Sequence, residues 1–361
     1  KEYRRQRQMC IRDRYSTDDT QTYTAATGQN IDITGAATFT TTNDNISFAT
    51  SGVDLANNGT TTINTGTGAG TVSFGAAIEG NSATAPFNDL LVITSGTGNV
   101  TFTGAIGATN ALGGLDVNSS AGDGDITFTS TIGDTGNAGV VGTTAIGNAA
   151  TADLNFNGAT YSFDGATTIT AASGDTIDIG AGAATTFTTA ADNITFATGN
   201  IELADGSNLT VDTGATGGNI TIGEIAGTSV ETVTLDAGTG TTSVGVIGSG
   251  TEIGAVTIGS AENGGITLNG AITTDGAVTI DGPVTLATGA VTVTTVNDAI
   301  SFNHTINGAQ ALTLVSGTAA TTIDGTIGGS TAISSLTITN GTANGTIAVS
   351  YTHLTLPTIL L

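Results

Sequence analysis

The chain has 361 residues, 54 of them Gly, and carries 30 Asp and Glu against six Lys and Arg, a formal net charge of −24. All six basic residues lie within Lys1–Arg14, with the single Met (Met9) and single Cys (Cys10), so the remaining chain is at −28 with no Lys or Arg. That balance excludes nucleic acid and anionic membrane surfaces, which are held by cationic side chains, and the lone Cys excludes a disulfide framework or thiolate metal site.

The first stretch, RRQRQMCIRDR from Arg4 to Arg14, has two readings. One is a basic arm. The other is that it is not native protein sequence, because it resembles a translated sequencing-library adapter. It back-translates codon for codon into the transposase adapter, and VSYTHLTLPT, Val349 to Thr358, back-translates into the reverse complement of the same oligonucleotide. The match in both orientations favours the second reading. Residues 1–14 and 349–361 are therefore expected to be adapter-derived and to stand outside the packed fold, as tags and fusion scars do. Residues 15–348 are expected to be a metagenomic fragment, internal to a longer open reading frame.

From Tyr15 onward the predicted elements are nearly all short strands. NIDIT (Asn30–Thr34), NISF (Asn45–Phe48), TVSF (Thr71–Phe74), NVTF (Asn99–Phe102) and DITF (Asp125–Phe128) come first. TIDI (Thr176–Ile179), NITF (Asn193–Phe196), NITI (Asn219–Ile222), ITL (Ile266–Leu268) and VTLATGAVTV (Val284–Val293) follow. Each alternates an apolar residue with Thr, Ser or Asp, the period-2 pattern of a strand with one face inward. Gly-rich turns such as GTGAG, GDGD and NGG separate them. No stretch shows helical periodicity with caps, and no apolar run is long enough to span a membrane as a helix.

Internal repetition decides among the all-β architectures. The stretch beginning TFTTTNDNISFATSGVDL at Thr38 aligns with TFTTAADNITFATGNIEL at Thr186, and TVNDAISFNHTI from Thr295 starts a third, diverged copy. A second motif, L-x-[LI]-x-x-G with I-G about a dozen residues on, recurs at Leu91–Gly107, Val233–Gly248 and Leu312–Gly328. Loose repeats with insertions in turns suit a quasi-one-dimensional stack. The expected fold is all-β, a parallel β-helix (β-solenoid), with small β-branched residues stacked on their equivalents one coil away. At about 20 residues per coil, some 15 coils are expected, stacked at roughly 4.8 Å.

The G-x-[IV]-T-[FIL]-x-G-x-I-G and [ND]-D-[NA]-I-[ST]-F units resemble the repeat regions of very large bacterial surface proteins, the filamentous-haemagglutinin-like and autotransporter-like β-solenoid adhesins. The resemblance covers nearly all of residues 15–348. It implies a secreted or cell-surface, outer-membrane-associated location, a role as stalk or adhesion surface, and an extracellular surface or glycan as partner.

Catalysis needs a nucleophile with a base, a poised acid–base pair or a metal. The only histidine between the two adapter-like ends, His304, lies in SFNHTING and is expected to face solvent from a turn; no second His or Cys completes a zinc set. The lyases that β-helices resemble use Arg or Lys, which residues 15–348 lack. A two-carboxylate glycosidase is the remaining enzymatic alternative. The acidic residues form no distinctive cluster beyond DGD at Asp123–Asp125, so a non-enzymatic chain is expected, with no catalytic or cofactor-binding residue. Asp123 and Asp125 sit in AGDGDITF, which has a faint likeness to calcium-binding repeat turns, and are the candidates for weak calcium binding. A Thr-rich ice-binding surface or a calcium-dependent surface module are further alternatives.

Overall fold

The protein is represented by a computed structural model that describes residues 9–55, 59–80, 87–180, 182–228, 230–260, 264–340 and 347–349. Among these there is no helix, and they form an all-strand parallel β-solenoid of about 13 turns. Contacts divide the chain into two compact units, residues 1–181 with 185–200, and residues 182–184 with 201–361.

The first unit shows how the period-2 pattern becomes a core. Ile46–Phe48, Val72–Phe74, Val100–Phe102, Ile126–Phe128 and Leu154–Phe156 are three-residue strands, each buried at both ends and half-exposed in the middle. They pair in parallel and in register, Phe48 on Phe74, Phe74 on Phe102, Phe102 on Phe128 and Phe128 on Phe156. Register follows from the burial pattern, because a one-residue slip would turn every apolar side chain outward. The outcome is an aromatic ladder. Successive rings are stacked at centroid distances of 4.9, 5.4, 4.8 and 5.3 Å with interplanar angles of 10° or less. Phe is scarce, 11 in the whole chain, yet five of them fall in this one column, so each inner ring has two stacked neighbours. Aromatic pairs gain about 0.5–1.5 kcal/mol each beyond area burial. Tyr23 continues the ladder below Phe48 at 5.2 Å, and burial, with Tyr15 nearby, pushes its hydroxyl up to about 12.

The repeats seen in the sequence have matching local structure. Phe39 meets Phe48 edge-on at 5.4 Å and 80°, and Phe187 meets Phe196 at 5.4 Å and 80°. Thr41, Thr189 and Thr295, equivalent residues of the three copies, each donate a hydroxyl hydrogen bond of 2.5 Å to the carbonyl three residues on, at Asp44, Asp192 and Asp298. The I-G motif is a corner. Gly107, Gly133, Gly147, Gly248 and Gly328 all have φ between +64° and +78°, a region cheap only for Gly. Each donates its N–H to a carbonyl of the preceding coil, Ile78, Ile106, Val117, Ile225 and Ile306 respectively.

In the second unit, Leu209–Asp212, Val233–Asp236, Val256–Gly259, Val278–Asp281, Ile300–Phe302 and Thr321–Ile323 form one parallel column. Successive partners along it are 21 to 24 residues apart. In the first unit the spacing from Ile46 through Val72, Val100, Ile126 and Leu154 to Ile177 is 23 to 28. Coils are thus longer, and turns of the solenoid fewer, than the expected 20 residues and 15 coils. The extra residues sit in corners such as 107–113 and 133–139, where an insertion costs only loop entropy.

Residues 1–14 were expected to stand outside the fold. The backbone of Met9–Thr17 instead forms a strand parallel to Ile31–Thr41, with Met9 opposite Ile31 and Ile11 opposite Ile33. The end coil of a parallel stack presents a row of unpaired N–H and C=O groups. Any extended segment can satisfy them whatever its side chains, so this pairing does not bear on an adapter origin. Val349 likewise pairs with Ile323; residues 1–8 and 350–361 lie outside the described residues.

Candidate functional site

The structure separates the two acidic candidates. Asp123 is exposed in its turn, and its N–H donates to the Gly96 carbonyl of the coil before. Asp125 stands at the foot of Ile126–Phe128 and is engaged with Asn99 one coil earlier. Its N–H donates to Asn99 Oδ1 at 3.1 Å, and Asn99 Nδ2 donates to Asp125 Oδ2 at 3.1 Å. The same bracket recurs where Thr71 N donates to Asn45 Oδ1 and Thr176 N donates to Asp153 Oδ1. Asp125 is one rung of a polar ladder tying coil to coil. Among the described residues no group of three or more His, Cys, Asp or Glu is gathered as a metal site would require.

His304 is half-exposed, and its Nε2 lies 3.4 Å from Asp281 Oδ1, with both side chains about one-third accessible. Asp281 belongs to the preceding coil, so the two meet because the stack superposes a strand end on the turn above it.

What the sequence concealed is columnar. The outward positions of the second unit superpose Thr210, Thr234, Thr257, Thr279, Ser301 and Thr322. Two residues further on, Asp212 faces Asp236. Each of these carboxylates accepts the N–H two residues on, at Gly214 (2.7 Å) and Gly238 (2.8 Å). In the first unit Asp32, Asp54 and Glu79 form a similar acidic column. A further carboxylate interaction joins neighbouring coils out of strict register, because Asp178 lies opposite Asn155, two residues on from Asp153. Asp178, half-buried, is held above the usual carboxylate range by desolvation, with Asp153 adding to the shift and a hydrogen bond involving Thr176 opposing it.

A cleft of about 430 Å3 lies on the first unit. Thr109 and Ala111, then Thr135–Ala138 with Val141, then Ser162 and Asp164, then Thr188 border it on successive coils. One wall is a turn that holds its own shape. Asp134 Oδ1 accepts from Gly136 N at 2.7 Å and Asn137 N at 2.8 Å, and these bonds lower the Asp134 carboxyl below its ordinary value. The only sequence signal for this wall is the length of IGDTGNAG (Ile132–Gly139), a corner longer than I-G alone requires.

No family model, curated protein or solved structure matches this chain.

Proposed function

We propose that this chain is the repeat region of a large secreted or cell-surface bacterial protein, working as a stalk or adhesion surface. The observation that carries the reading is the outward column Thr210–Thr234–Thr257–Thr279–Ser301–Thr322. Coil after coil offers the same chemistry to solvent, which multiplies a weak contact along a surface. Weak repeated contacts gain avidity without any single tight site. The adhesin-like units in the sequence point the same way.

The test is retention under flow. A non-adherent bacterium displaying the chain through a heterologous anchor is expected to stay on mucin- or polysaccharide-coated glass at shear that removes cells carrying the anchor alone. Equal removal of both overturns the adhesive reading.

A second reading, a carbohydrate-active enzyme using paired carboxylates, draws on Asp178 and Asp153, since burial raises the Asp178 carboxyl above its ordinary range with Asp153 adding to the shift, and glycoside hydrolysis uses a pair of carboxyls in unlike environments. Asp153 accepts the N–H and hydroxyl of Thr176 at 3.0 and 3.1 Å, and neither carboxylate borders the cleft. Release of reducing ends from neutral polysaccharides, lost in Asp178→Asn, would establish this reading in place of the first.

A further inference from the structure

We propose that the cleft on the first unit binds a short run of a neutral polysaccharide. The proposal rests on the adhesive reading and gives it a place and a ligand class. A volume of about 430 Å3 lies within the roughly 300–1,000 Å3 of small-ligand sites. The lining comes from four successive coils, and three intervals of about 4.8 Å make the cleft roughly 14 Å long. That length suits an oligosaccharide better than a single sugar or an ion.

The chemistry of the lining selects the ligand. Thr135, Asn137, Ser162 and Thr188 offer hydroxyl and carboxamide groups, each able to donate and to accept, which matches a chain of sugar hydroxyls. The exposed carboxylate of Asp164 accepts from two neighbouring hydroxyls at once. Phe87, Ala111 and Val141 add an apolar strip for the C–H face of a ring. No Lys or Arg exists after Arg14, so no Lys or Arg here can neutralise a uronate or sulfate, and the Asp164 carboxylate in the lining repels one. The turn Asp134–Asn137 is already fixed by its own hydrogen bonds, so that wall loses little entropy on binding.

Affinity electrophoresis of the full chain through gels containing galactomannan, mixed-linkage β-glucan or polygalacturonate tests this. Retardation is expected in at least one neutral gel and not in polygalacturonate. Asp164→Ala and Asn137→Ala should each weaken it roughly tenfold, about 1.4 kcal/mol. Ala190→Trp, which adds bulk at the exposed rim, should abolish it, with the thermal midpoint of all three variants unchanged. Migration unaffected by both neutral polymers, equal retardation by polygalacturonate, or retardation that survives Ala190→Trp would overturn the proposal. Cells that adhere under flow while the chain ignores every neutral gel sink the cleft and leave the adhesive reading standing. A chain retarded at the cleft whose displaying cells do not adhere sinks the adhesive reading alone.

Discussion

Phe102 has rings on both sides, Phe74 at 5.4 Å and Phe128 at 4.8 Å, and is 1 % exposed. Phe102→Ala should therefore cost about 3–5 kcal/mol, and Phe102→Leu, which keeps most of the volume, under about 1.5 kcal/mol. Urea unfolding followed by circular dichroism reads both; equal costs would show that the lost ring stacking, and not the lost volume, carries the penalty. At the corner, Gly133 has φ +68°, and a Cβ there would press on the Asn137 carbonyl and the Gly139 nitrogen. Gly133→Ala is expected to cost at least about 1 kcal/mol from the left-handed conformation alone. Asp178 sets a pH dependence. Its folded pKa is raised by burial, so folding favours the protonated carboxyl, and the favourable contribution is complete below the ordinary Asp pKa and lost as pH rises through the folded value. Asp178→Asn should stabilise the protein at neutral pH, and its advantage should close as pH falls toward the ordinary carboxylate range. An advantage constant from pH 3 to 8 would remove the burial explanation.

At the scale of an element, the strands are too short to be stable singly, and each gains its place from the coil on either side. The Asn99–Asp125 bracket is one such tie, made of two hydrogen bonds at 3.1 Å. Both groups are partly solvated, so Asn99→Ala is expected to cost about 0.5–1 kcal/mol. Asp123→Ala, on a side chain exposed in its turn, should stay within about 0.5 kcal/mol of the parent. Chemical denaturation of the pair distinguishes a ladder residue from a turn residue. A reversed order would mean that Asp123, not Asp125, ties the coils.

For the whole molecule, the governing quantity is charge. Beyond Arg14 the chain carries −28, and stacking puts carboxylates on neighbouring coils, Asp32–Asp54–Glu79 and Asp212–Asp236, at about the 4.8 Å inter-strand spacing. Such self-repulsion opposes the compact state. At 0.5 M salt the Debye length is about 4 Å, and the repulsion is largely screened. The melting midpoint should rise from dilute buffer to 0.5 M NaCl, and millimolar calcium, which bridges carboxylates, should raise it at far lower ionic strength. A flat or falling midpoint across the series would show that surface charge does not limit this fold.

The sequence by itself determined the fold class. Alternation such as V-T-F and I-T-F dictates which face is buried, Gly at the I-G corners dictates where the backbone turns, and the repeats of Thr38, Thr186 and Thr295 require like structure for like sequence. It also shows that no Lys or Arg follows Arg14. Coil length escaped it, because insertions in corners leave strand periodicity untouched. So did every relation between coils: the aromatic ladder, the meeting of His304 with Asp281, the pairing of Asn99 with Asp125, and the lining of the cleft. These join residues about 20 to 30 positions apart or more. Only stacking decides which of them superpose, since the register is set by burying apolar residues over apolar residues and the outward side chains are carried into columns as a consequence.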